Sequence, residues 1–537
     1  MPAPAGSAGL RISNSDPMAA LQTLRRSPLP VLRVSVPSVL ILCVLWPATA
    51  SATIRYSISL ADRETHEFRV RMEIPDVPST IELDMPVWNA LYQVRDFAAR
   101  ISHLRAETAS GAAVTLVRLT PHSWRAGPVT GSLVLDYSIF WDEPSPFSSD
   151  LSDAHAFLNP ATVLLYAPSR RSEDVSLEFT SVPPGWHIAT PLDPGRTSDS
   201  LVATGYDALA QGPIEIGQFT DFTFEAAHRP IRVVIHAAPV AGQPLSLWSR
   251  RHLEDAARRI VESETALMGD APFPRYVFLL HLGTGGAGGM EHPNSSAINV
   301  VPGDDPVPTM AHEFFHAWNV LRIRPQSLEP VDYTHEQPTD ALWFAEGVTS
   351  TIAAYTLVRT GLWSRQEFYT DLGAQLEELA GHSARHFQSV EDSSIAAWLE
   401  KYSIYRRPGS SISYYNKGQL LGLCLDILLR DATNNRQSLD SLLRAMNQRY
   451  AQQHRPYADT AAIQALASEL AGRDLSDFFR RYVAGTDDIP FDDILARGGF
   501  RLEGSPQNFR VSDGSVSGLP AAIRESILTG RTVTPAH

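Results

Sequence analysis

Two histidines and a glutamate, His312, Glu313 and His316, form an H-E-x-x-H pattern in a segment that we predict to be helical. Pro308 suits the first turn of this helix, and apolar residues after it recur at helical spacing. Residues four apart lie on one helix face with Cβ atoms about 5–6 Å apart, so both imidazoles can bind one Zn²⁺. Glu313 can then reach a water at the metal without binding the ion itself. The pattern therefore predicts hydrolysis by an activated water.

A third zinc ligand is predicted at Glu346, which lies 30 positions after the second histidine in a second helical stretch, Leu342–Val358. The two aromatic residues beside it would bury its carboxylate, which is costly unless a cation compensates. Two histidines and one glutamate also leave a fourth position open for water, as catalytic zinc requires. His335 and Glu336 are nearer in sequence, but they lie in a polar loop and are weaker candidates.

A glycine-rich run, 283–289, is followed by Met290 and Glu291. It has no G-x-x-x-x-G-K-[ST] pattern and no helix opens after it, which argues against nucleotide binding. We interpret the run as a strand edge beside the metal. Glycines there allow a substrate backbone to approach closely, so Gly288, Gly289, Met290 and Glu291 are predicted to bind substrate.

The elements that would position these residues fall into successive regions of the chain. Residues 53–228 contain short alternating segments separated by turns, which predicts a β-sandwich-like domain. Residues 229–360 mix strands and helices and are predicted to be an α/β catalytic domain. Residues 361–490 have helical periodicity, and 491–537 are predicted to be a tail. The predicted fold class is therefore multidomain α+β.

The remaining histidines and cysteines indicate no second reactive site. His122, His155 and His187 are scattered along the predicted β-domain, and we expect them to be surface residues or to have local hydrogen bonds. Cys424 lies in an apolar helical run and is predicted to be a buried small hydrophobic residue. Cys43 would be removed with the N-terminal segment described next, so no internal disulfide is expected.

Residues 1–52 have the features of a secretory signal peptide. Basic residues up to Arg33 precede a short apolar run, and small residues at Ala50 and Ala52 form an A-x-A cleavage site. The apolar run is short for a membrane span. We therefore predict export to the periplasm or the medium, with anchoring through an uncleaved segment as the alternative. Met18 is a second candidate for the start of the chain.

The charge of the chain limits its partners. Removing residues 1–52 takes Lys plus Arg from 45 to 41 and Asp plus Glu from 59 to 58, so the mature chain has a net charge of −17. This charge argues against nucleic acid or an anionic membrane surface as a partner. No stable membrane association is expected after cleavage.

Five stretches resemble the glycyl aminopeptidase family of zinc peptidases, a family of the gluzincin clan. They occur in order and with fitting gaps between about residues 53 and 500: 288–292, 312–320, 322–325, 343–347 and 415–418. The resemblance implies an N-terminal β-domain, a thermolysin-like catalytic domain and a C-terminal helical domain. It also implies that His312, His316 and Glu346 are the zinc ligands and that Glu313 is the base.

The same resemblance gives roles to two further residues. Tyr415 is implied as the hydrogen-bond donor to the oxyanion that forms when water attacks a carbonyl. From spacing alone, a tyrosine at a helix start would be interpreted as a packing residue. Glu291 is implied to lie near the α-amino group of the substrate.

The chain departs from the family pattern in two places. Family members usually continue into a C-terminal PDZ domain, and the roughly 40 residues after Gly498 are too few for one. We interpret them as a degenerate remnant of that domain or as the end of a truncated gene model. A Pro-Gly pair that often follows the tryptophan of the N-terminal domain is missing at Trp88-Asn89-Ala90, which is expected to change a loop near the cleft.

We therefore predict a zinc aminopeptidase that acts on peptide substrates. Its preference for N-terminal Gly or Ala is implied by the resemblance alone. One alternative is a zinc endopeptidase of the same fold, which would need a cleft open on both sides. Another is an inactive zinc-containing peptide-binding module, although such a module has no need of Glu313 or Tyr415.

Overall fold

The computed structural model describes residues 53–89, 92–237, 249–283, 286–399 and 409–534. The predicted signal peptide, its cleavage site and the alternative anchor, residues 1–52, lie outside these ranges. Across the described ranges, no helix is both long enough and apolar enough to cross a membrane.

The N-terminal region is rich in strands, as predicted. Along β1 and β2, buried side chains alternate with exposed ones, as expected of strands with one face against a core. The described residues of this region form one short α-helix, α1, and 15 strands: β1 (Ile54–Asp62), β2 (Glu67–Val77), β3 (Ile81–Asp84), β4 (Ile101–Thr108), β5 (Ala113–Val114), β6 (Leu116–Thr120), β7 (Ser123–Ala126), β8 (Gly131–Phe140), β9 (Asp150–Leu151), β10 (His155–Leu158), β11 (Val175–Thr180), β12 (His187–Ala189), β13 (Asp193–Pro194), β14 (Ser200–Ala203), α1 (Tyr206–Ala210) and β15 (Ile214–Gly217).

These strands form three sheets. The largest has eight strands in the order β13-β14-β11-β1-β2-β8-β4-β5. A three-stranded sheet has the order β3-β7-β6, and a four-stranded sheet has the order β12-β15-β10-β9. Their shared core includes fully buried Phe68, Phe97 and Trp141.

The central region is a five-stranded sheet with helices, which agrees with the predicted mixed α/β character. The strand order is β16-β17-β18-β20-β19, with β17, β18 and β20 parallel and β19 antiparallel at the edge. A π-helical turn over Trp343–Val348 leads into α4. The elements are β16 (Thr220–Ala226), β17 (Arg229–Ala237), α2 (Arg250–Met268), β18 (Tyr276–Leu282), β19 (Gly288–His292), β20 (Ser295–Val300), α3 (Val307–Phe315) and α4 (Thr349–Thr360).

One boundary differs from the sequence-based expectation. β16 lies within the range assigned to the N-terminal domain, but its hydrogen bonds join it to β17 in the central sheet. Only two residues separate the two strands, so they pair as a hairpin.

The central sheet has two buried faces. Because successive side chains of a strand point to opposite sides, Val233 and Phe278 join the core that contains α2 and α3. Val234 and Leu279 face the other way and pack with Phe157 of β10 in a separate, smaller cluster. One face of the sheet is therefore covered by helices, and the other is covered by strands of the N-terminal region.

The C-terminal region is helical, as predicted, with one hairpin. Several helices begin at a serine cap, and Ser364 and Ser389 form capping boxes with the third residue of the helix. The elements are α5 (Arg365–Gly381), α6 (Val390–Ala396), α7 (Tyr414–Ala432), α8 (Leu439–Arg449), α9 (Asp459–Ala471), α10 (Ser476–Phe478), α11 (Phe491–Arg497), β21 (Phe500–Ser505), β22 (Asn508–Asp513) and α12 (Leu519–Thr529).

The segment predicted as a tail is packed against the helical region. Ile523 and Ile527 of α12 are fully buried in the main core. Asn435 donates a hydrogen bond to the Ser526 hydroxyl at 2.7 Å, and Arg359 donates one to the Ile527 carbonyl at 2.9 Å. Residues 491–534 are therefore part of the folded body, and their interpretation as a degenerate PDZ remnant stays a prediction.

Candidate active site

The helix α3 carries the two histidines of the H-E-x-x-H pattern. Pro308 lies in its first turn, as predicted, and Phe314 and Phe315 are fully buried in the core. His316 follows the last residue of the helix and keeps helical backbone angles. The Nε2 atoms of His312 and His316 consequently lie on one side of the helix, 3.0 Å apart.

Glu346 reaches the same point from the π-helical turn before α4. Its Oε2 atom lies 3.4 Å from His312 Nε2 and 3.2 Å from His316 Nε2. Burial favours the neutral form of the Glu346 carboxyl, but the two histidines outweigh it and hold its pKa below the ordinary value. We call these three residues, His312, His316 and Glu346, the HExxH cluster.

The distances within the HExxH cluster fit a zinc ion. Three ligand atoms, each about 2.0–2.1 Å from a tetrahedral centre, lie about 3.3–3.4 Å from one another. The measured separations of 3.0, 3.2 and 3.4 Å are close to this value. The donor set of two imidazole nitrogens and one carboxylate is one that zinc accepts.

The outer nitrogens of both histidines are also occupied. His316 Nδ1 lies 2.5 Å from the Asn319 carbonyl oxygen, and His312 Nδ1 lies 3.3 Å from the Ser350 hydroxyl. Asn319 in turn donates to the Phe344 carbonyl at 2.9 Å, which ties the end of α3 to the turn that bears the carboxylate. A hydrogen bond at the outer nitrogen fixes the tautomer so that Nε2 is available to a metal.

Tyr92 was not predicted from the sequence. It comes from the N-terminal region and is buried, and its hydroxyl donates a hydrogen bond to Glu346 Oε1 at 3.4 Å. Its ring packs edge-on against Trp398. It contacts the carboxylate across more than 250 residues of sequence, so no local pattern could have indicated it.

Glu313 lies between the HExxH cluster and the edge strand β19. A Cβ atom placed on Gly289 would lie 2.3 Å from Glu313 Oε1, so the backbone of β19 touches this carboxyl group and leaves no room for a side chain. Burial raises the pKa of Glu313 well above its ordinary value, and Glu291 and Glu346 raise it further, while His316 lowers it. A bound cation would also lower it.

Glu291 lies on β19 and faces the same way as Gly289, since the two are two positions apart. Its carboxylate, that of Glu313 and an imidazole nitrogen of His316 lie within 4.8 Å of one another. Burial raises the pKa of Glu291, and Glu346 adds to this effect, while His316 opposes it. The glycine-rich run therefore ends in an edge strand beside the HExxH cluster, as the sequence predicted.

The side chain of Met290 does not face the site, so its predicted contact with substrate could be made only by its main chain and stays a prediction. Met290 is buried, and its sulfur accepts from Asn159 Nδ2 at 3.0 Å, on the N-terminal side of the sheet. The physical reason is that successive side chains of a strand point to opposite faces, and Met290 lies between Gly289 and Glu291.

Tyr415 enters the site from the first turn of α7. Its ring centroid lies 6.0 Å from that of His312. Two glycines make this approach possible, because a Cβ on Gly347 would lie 2.4 Å from the Cα of Gly418. Burial raises the pKa of Tyr415 well above its ordinary value, and the Glu346 carboxylate adds to this, so the phenol stays protonated.

These residues open onto a cavity of about 780 Å³. His312 and Glu313 form its floor together with Gly288 and Gly289 of the edge strand. Helices α4, α5 and α7 supply further walls. The other lining residues are Gln93, Arg95, Glu143, Ser145, Phe147, Ala287, Pro308, Thr309, Ser350, Ala353, Ala354, Leu357, Trp363, Asp371, Tyr414, Tyr415 and Gln419.

Comparison with protein families identifies the chain. The family model described as M61 glycyl aminopeptidase matches residues 306–421, and the model of the peptidase M61 N-terminal domain matches residues 55–218. Together the two matched ranges cover more than half of the chain. The chain belongs to the M61 glycyl aminopeptidase family. It is therefore a peptidase.

Solved structures support the fold of this M61 family member. The aminopeptidase N family protein from Idiomarina loihiensis is 26% identical, with a TM-score of 0.78 over 84% of this chain and 79% of its own. The M1 zinc metallopeptidase from Deinococcus radiodurans is 14% identical, with a TM-score of 0.51 over 82% of this chain and 95% of its own, and shares the fold. Among curated proteins, none matches the chain.

In this M61 peptidase the N-terminal region supplies one wall of the cavity. Arg95 donates to the Phe147 carbonyl at 2.7 Å and pairs with Glu143 at 2.9 Å, and all three line the cavity. Asn89, at the position where the family's Pro-Gly is missing, donates to the same Phe147 carbonyl at 2.9 Å. Asn89 therefore lies beside the cavity wall, whereas residues 90 and 91 lie outside the described part of the chain and the expected change in this loop stays a prediction. The sequence did not reveal the wall itself.

Proposed function

We propose that the protein is a zinc-dependent aminopeptidase. The observation that carries the proposal is the convergence of His312, His316 and Glu346 beside Glu313 and Glu291, at a cavity that His312 and Glu313 line. When bound, zinc would polarise the scissile carbonyl and acidify the attacking water. The remaining steps are carried out by side chains of this chain.

Glu313 is proposed as the general base and acid. It would take a proton from the attacking water and later deliver it to the nitrogen of the leaving amine. A raised pKa makes the carboxylate a stronger base toward the attacking water, and the resulting carboxylic acid can still protonate an amine, which is far more basic. The contact with Gly289 supports this role, because it holds the carboxyl group between the HExxH cluster and the edge strand.

Tyr415 is proposed as the oxyanion donor. Its raised pKa keeps the hydroxyl protonated, so it can donate a hydrogen bond as negative charge develops on the carbonyl oxygen. Its position beside the His312 ring supports this role.

Glu291 is proposed to bind the free ammonium group of the substrate. An ammonium entering a partly dehydrated cavity is costly unless a carboxylate meets it. The outer edge of β19 is not paired with another strand in the described sheet, so an extended peptide can bind there through its main chain. This arrangement would place the first residue of the peptide at Glu291 and its first peptide bond at the HExxH cluster.

The preference for N-terminal Gly or Ala and the exported location are further parts of the proposal. The first is supported by the family description alone. The second is supported by the sequence of residues 1–52, and it predicts Thr53 as the mature N-terminus. N-terminal sequencing of the protein from its native cell tests it, and a protein that retains Met1 or Met18 in the cytoplasm would contradict it.

The competing function is an endopeptidase of the same fold, and Glu291 separates the two. The test compares kcat/KM for one Ala-initiated peptide with a free and with an acetylated N-terminus, in the wild type, in Glu291→Ala and in Glu262→Ala. Glu262 is an exposed glutamate on α2 and serves as the control. We expect the wild type to favour the free amine strongly, Glu291→Ala to lose this preference through a higher KM and a lower kcat, and the control to match the wild type. Equal cleavage of both peptides by the wild type would favour the endopeptidase.

A further inference from the structure

A second group of buried polar side chains lies on the opposite face of the central sheet from α3. Its members come from the four-stranded sheet of the N-terminal region and from the central sheet, and none is more than 9% exposed. We call this group the sheet cluster: Asp150, His155, Glu215, His236, His281 and Asn299.

Strand register brings the members of the sheet cluster together. His236 of β17 pairs with His281 of β18, which in turn pairs with Asn299 of β20. Residues two apart in a strand point to the same face of the sheet. These three side chains therefore point away from the helices, on the same face as Val234 and Leu279. From the other side, β10 brings His155 and β15 brings Glu215.

Three ligand atoms converge within the sheet cluster. His155 Nδ1 lies 3.0 Å from Glu215 Oε1 and 3.3 Å from Oε2. His281 Nε2 lies 3.0 Å from Glu215 Oε2. These separations match those of the HExxH cluster and the value of about 3.3–3.4 Å expected around tetrahedral zinc.

The hydrogen bonds of His281 require a positive charge between it and Glu215. Asn299 Nδ2 donates to the Pro144 carbonyl at 3.3 Å, which turns its Oδ1 atom toward His281 Nδ1 at 3.1 Å. Because an amide oxygen only accepts, His281 Nδ1 carries a hydrogen. If His281 is neutral, its Nε2 atom has no hydrogen and directs a lone pair at Glu215 Oε2, 3.0 Å away. Both atoms are then hydrogen-bond acceptors, and two acceptors at this distance need a proton or a metal ion between them.

His155 is arranged in the same way. Its Nε2 atom lies 3.0 Å from Asp150 Oδ2, while its Nδ1 atom faces Glu215. A carboxylate at the outer nitrogen is the usual partner of a metal-binding histidine. One divalent ion would also balance the two negative charges of Asp150 and Glu215, which are costly to bury alone.

His236 lies beside these three ligand atoms. Its ring stacks on that of His155 with centroids 4.0 Å apart, and its Nδ1 atom lies 3.6 Å from Glu215 Oε1. An imidazole binds a metal ion in the plane of its ring, and one ion cannot lie in the planes of two stacked rings, so His236 is a neighbour of the site and not a ligand.

We propose that His155, Glu215 and His281 bind a second divalent ion of the zinc type that fastens the N-terminal region to the central sheet. Two histidines and a carboxylate are nitrogen and oxygen donors suited to zinc and its neighbours in the first transition row. Because every member of the sheet cluster is buried, we assign this ion a structural role.

The test removes the ligands of the HExxH cluster, so that zinc bound at the sheet cluster can be counted by itself. The background is the His312→Ala/His316→Ala double variant, which lacks two ligands of the HExxH cluster. After dialysis against Zn²⁺ and then against metal-free buffer, we expect one zinc per chain by elemental analysis and a higher Tm in its presence. Adding Glu215→Gln should bring the count to zero, whereas adding Glu262→Gln on the surface should leave it at one.

A second measurement uses the wild type, so that the result does not depend on variants that fold poorly. Anomalous scattering at the zinc edge from crystals grown with Zn²⁺ should show two peaks, one of them between His155 Nδ1 and His281 Nε2. A folded double variant that binds no zinc, or crystals with a single peak at the HExxH cluster, would overturn the proposal. In that case protons on His155 and His281 supply the positive charge. The result leaves the proposed peptidase mechanism untouched, because the two sites share no ligand.

Discussion

The HExxH cluster and the sheet cluster lie on opposite faces of the central sheet, and both contain two histidines and one glutamate within 4.8 Å. Both hold their histidines by hydrogen bonds to the outer nitrogens. They differ in what surrounds them. The first opens onto a cavity of about 780 Å³ next to Glu313 and Tyr415, whereas the second is enclosed by Asp150, His236 and Asn299. Under the proposed function, the catalytic site is therefore distinguished by its access, its base and its oxyanion donor, because the two groups of candidate metal ligands have the same composition.

Among the variants that test this difference between the two clusters, Glu313→Gln is expected to have the largest effect on activity. The variant keeps the shape of the side chain but removes the proton shuttle, so kcat should fall by about 10²–10⁴-fold while the zinc content is unchanged. Single-turnover and steady-state kinetics with a Gly- or Ala-initiated peptide measure it, and Glu262→Gln on the surface of α2 is the control. A kcat within a few fold of the wild-type value would show that Glu313 is not the general base.

Tyr415→Phe is expected to have the next largest effect. Loss of one oxyanion donor should lower kcat by roughly 10²–10³-fold with little change in KM. Tyr414→Phe is the matched control, because it changes the neighbouring tyrosine on the wall of the same cavity. If Tyr414→Phe lost activity and Tyr415→Phe did not, the donor role would pass to Tyr414.

Gly289→Ala tests the contact between the edge strand and the base. The added Cβ would lie 2.3 Å from Glu313 Oε1, so the carboxyl group must move. A displacement of this kind should cost about 10²-fold in kcat without loss of zinc. Gly286→Ala is the control, since nothing lies within 4 Å of its added Cβ. Equal activity of the two variants would show that the close approach does not position Glu313.

Tyr92→Phe is expected to have the smallest effect and to act on zinc affinity. The variant removes the hydrogen bond to Glu346 Oε1, and loss of such a contact typically weakens metal binding about 10–100-fold. Activity at saturating zinc should recover. Tyr206→Phe is the control, because its hydroxyl donates to the Leu164 carbonyl in the N-terminal core. Competition with a zinc chelator gives the affinity, and an unchanged value for Tyr92→Phe would show that this hydrogen bond does not orient Glu346.

The HExxH cluster could be predicted because its spacing is local or nearly so. His312 and His316 are four residues apart, and Glu346 follows on the next helical stretch with buried aromatic neighbours. The strand at the glycine-rich run and the order of sheet-rich, mixed and helical regions were also predicted from period and turn residues. The alternation of strand side chains also indicates that the Met290 side chain points away from the face of Glu291, as the structure shows.

The sheet cluster could not be predicted, because its members are far apart in the sequence. His155 was interpreted as a surface or locally bonded histidine, and its buried environment arises only when β10 and β15 meet β17 and β18. The same reason applies to Tyr92 and to the cavity wall from Arg95 to Phe147, which depend on how two regions pack. Contacts that form only through tertiary packing produce no periodic pattern or fixed spacing in the sequence from which they could be predicted.

Removal and return of zinc test the central claim most directly. The wild type is stripped with a chelator, assayed on a Gly- or Ala-initiated peptide, and then reconstituted with Zn²⁺ alongside Glu346→Ala. We expect the stripped wild type to be inactive and to recover with zinc, and we expect Glu346→Ala to remain inactive because the HExxH cluster has lost its carboxylate. Full turnover by wild-type protein that elemental analysis shows to be free of metal would contradict the account.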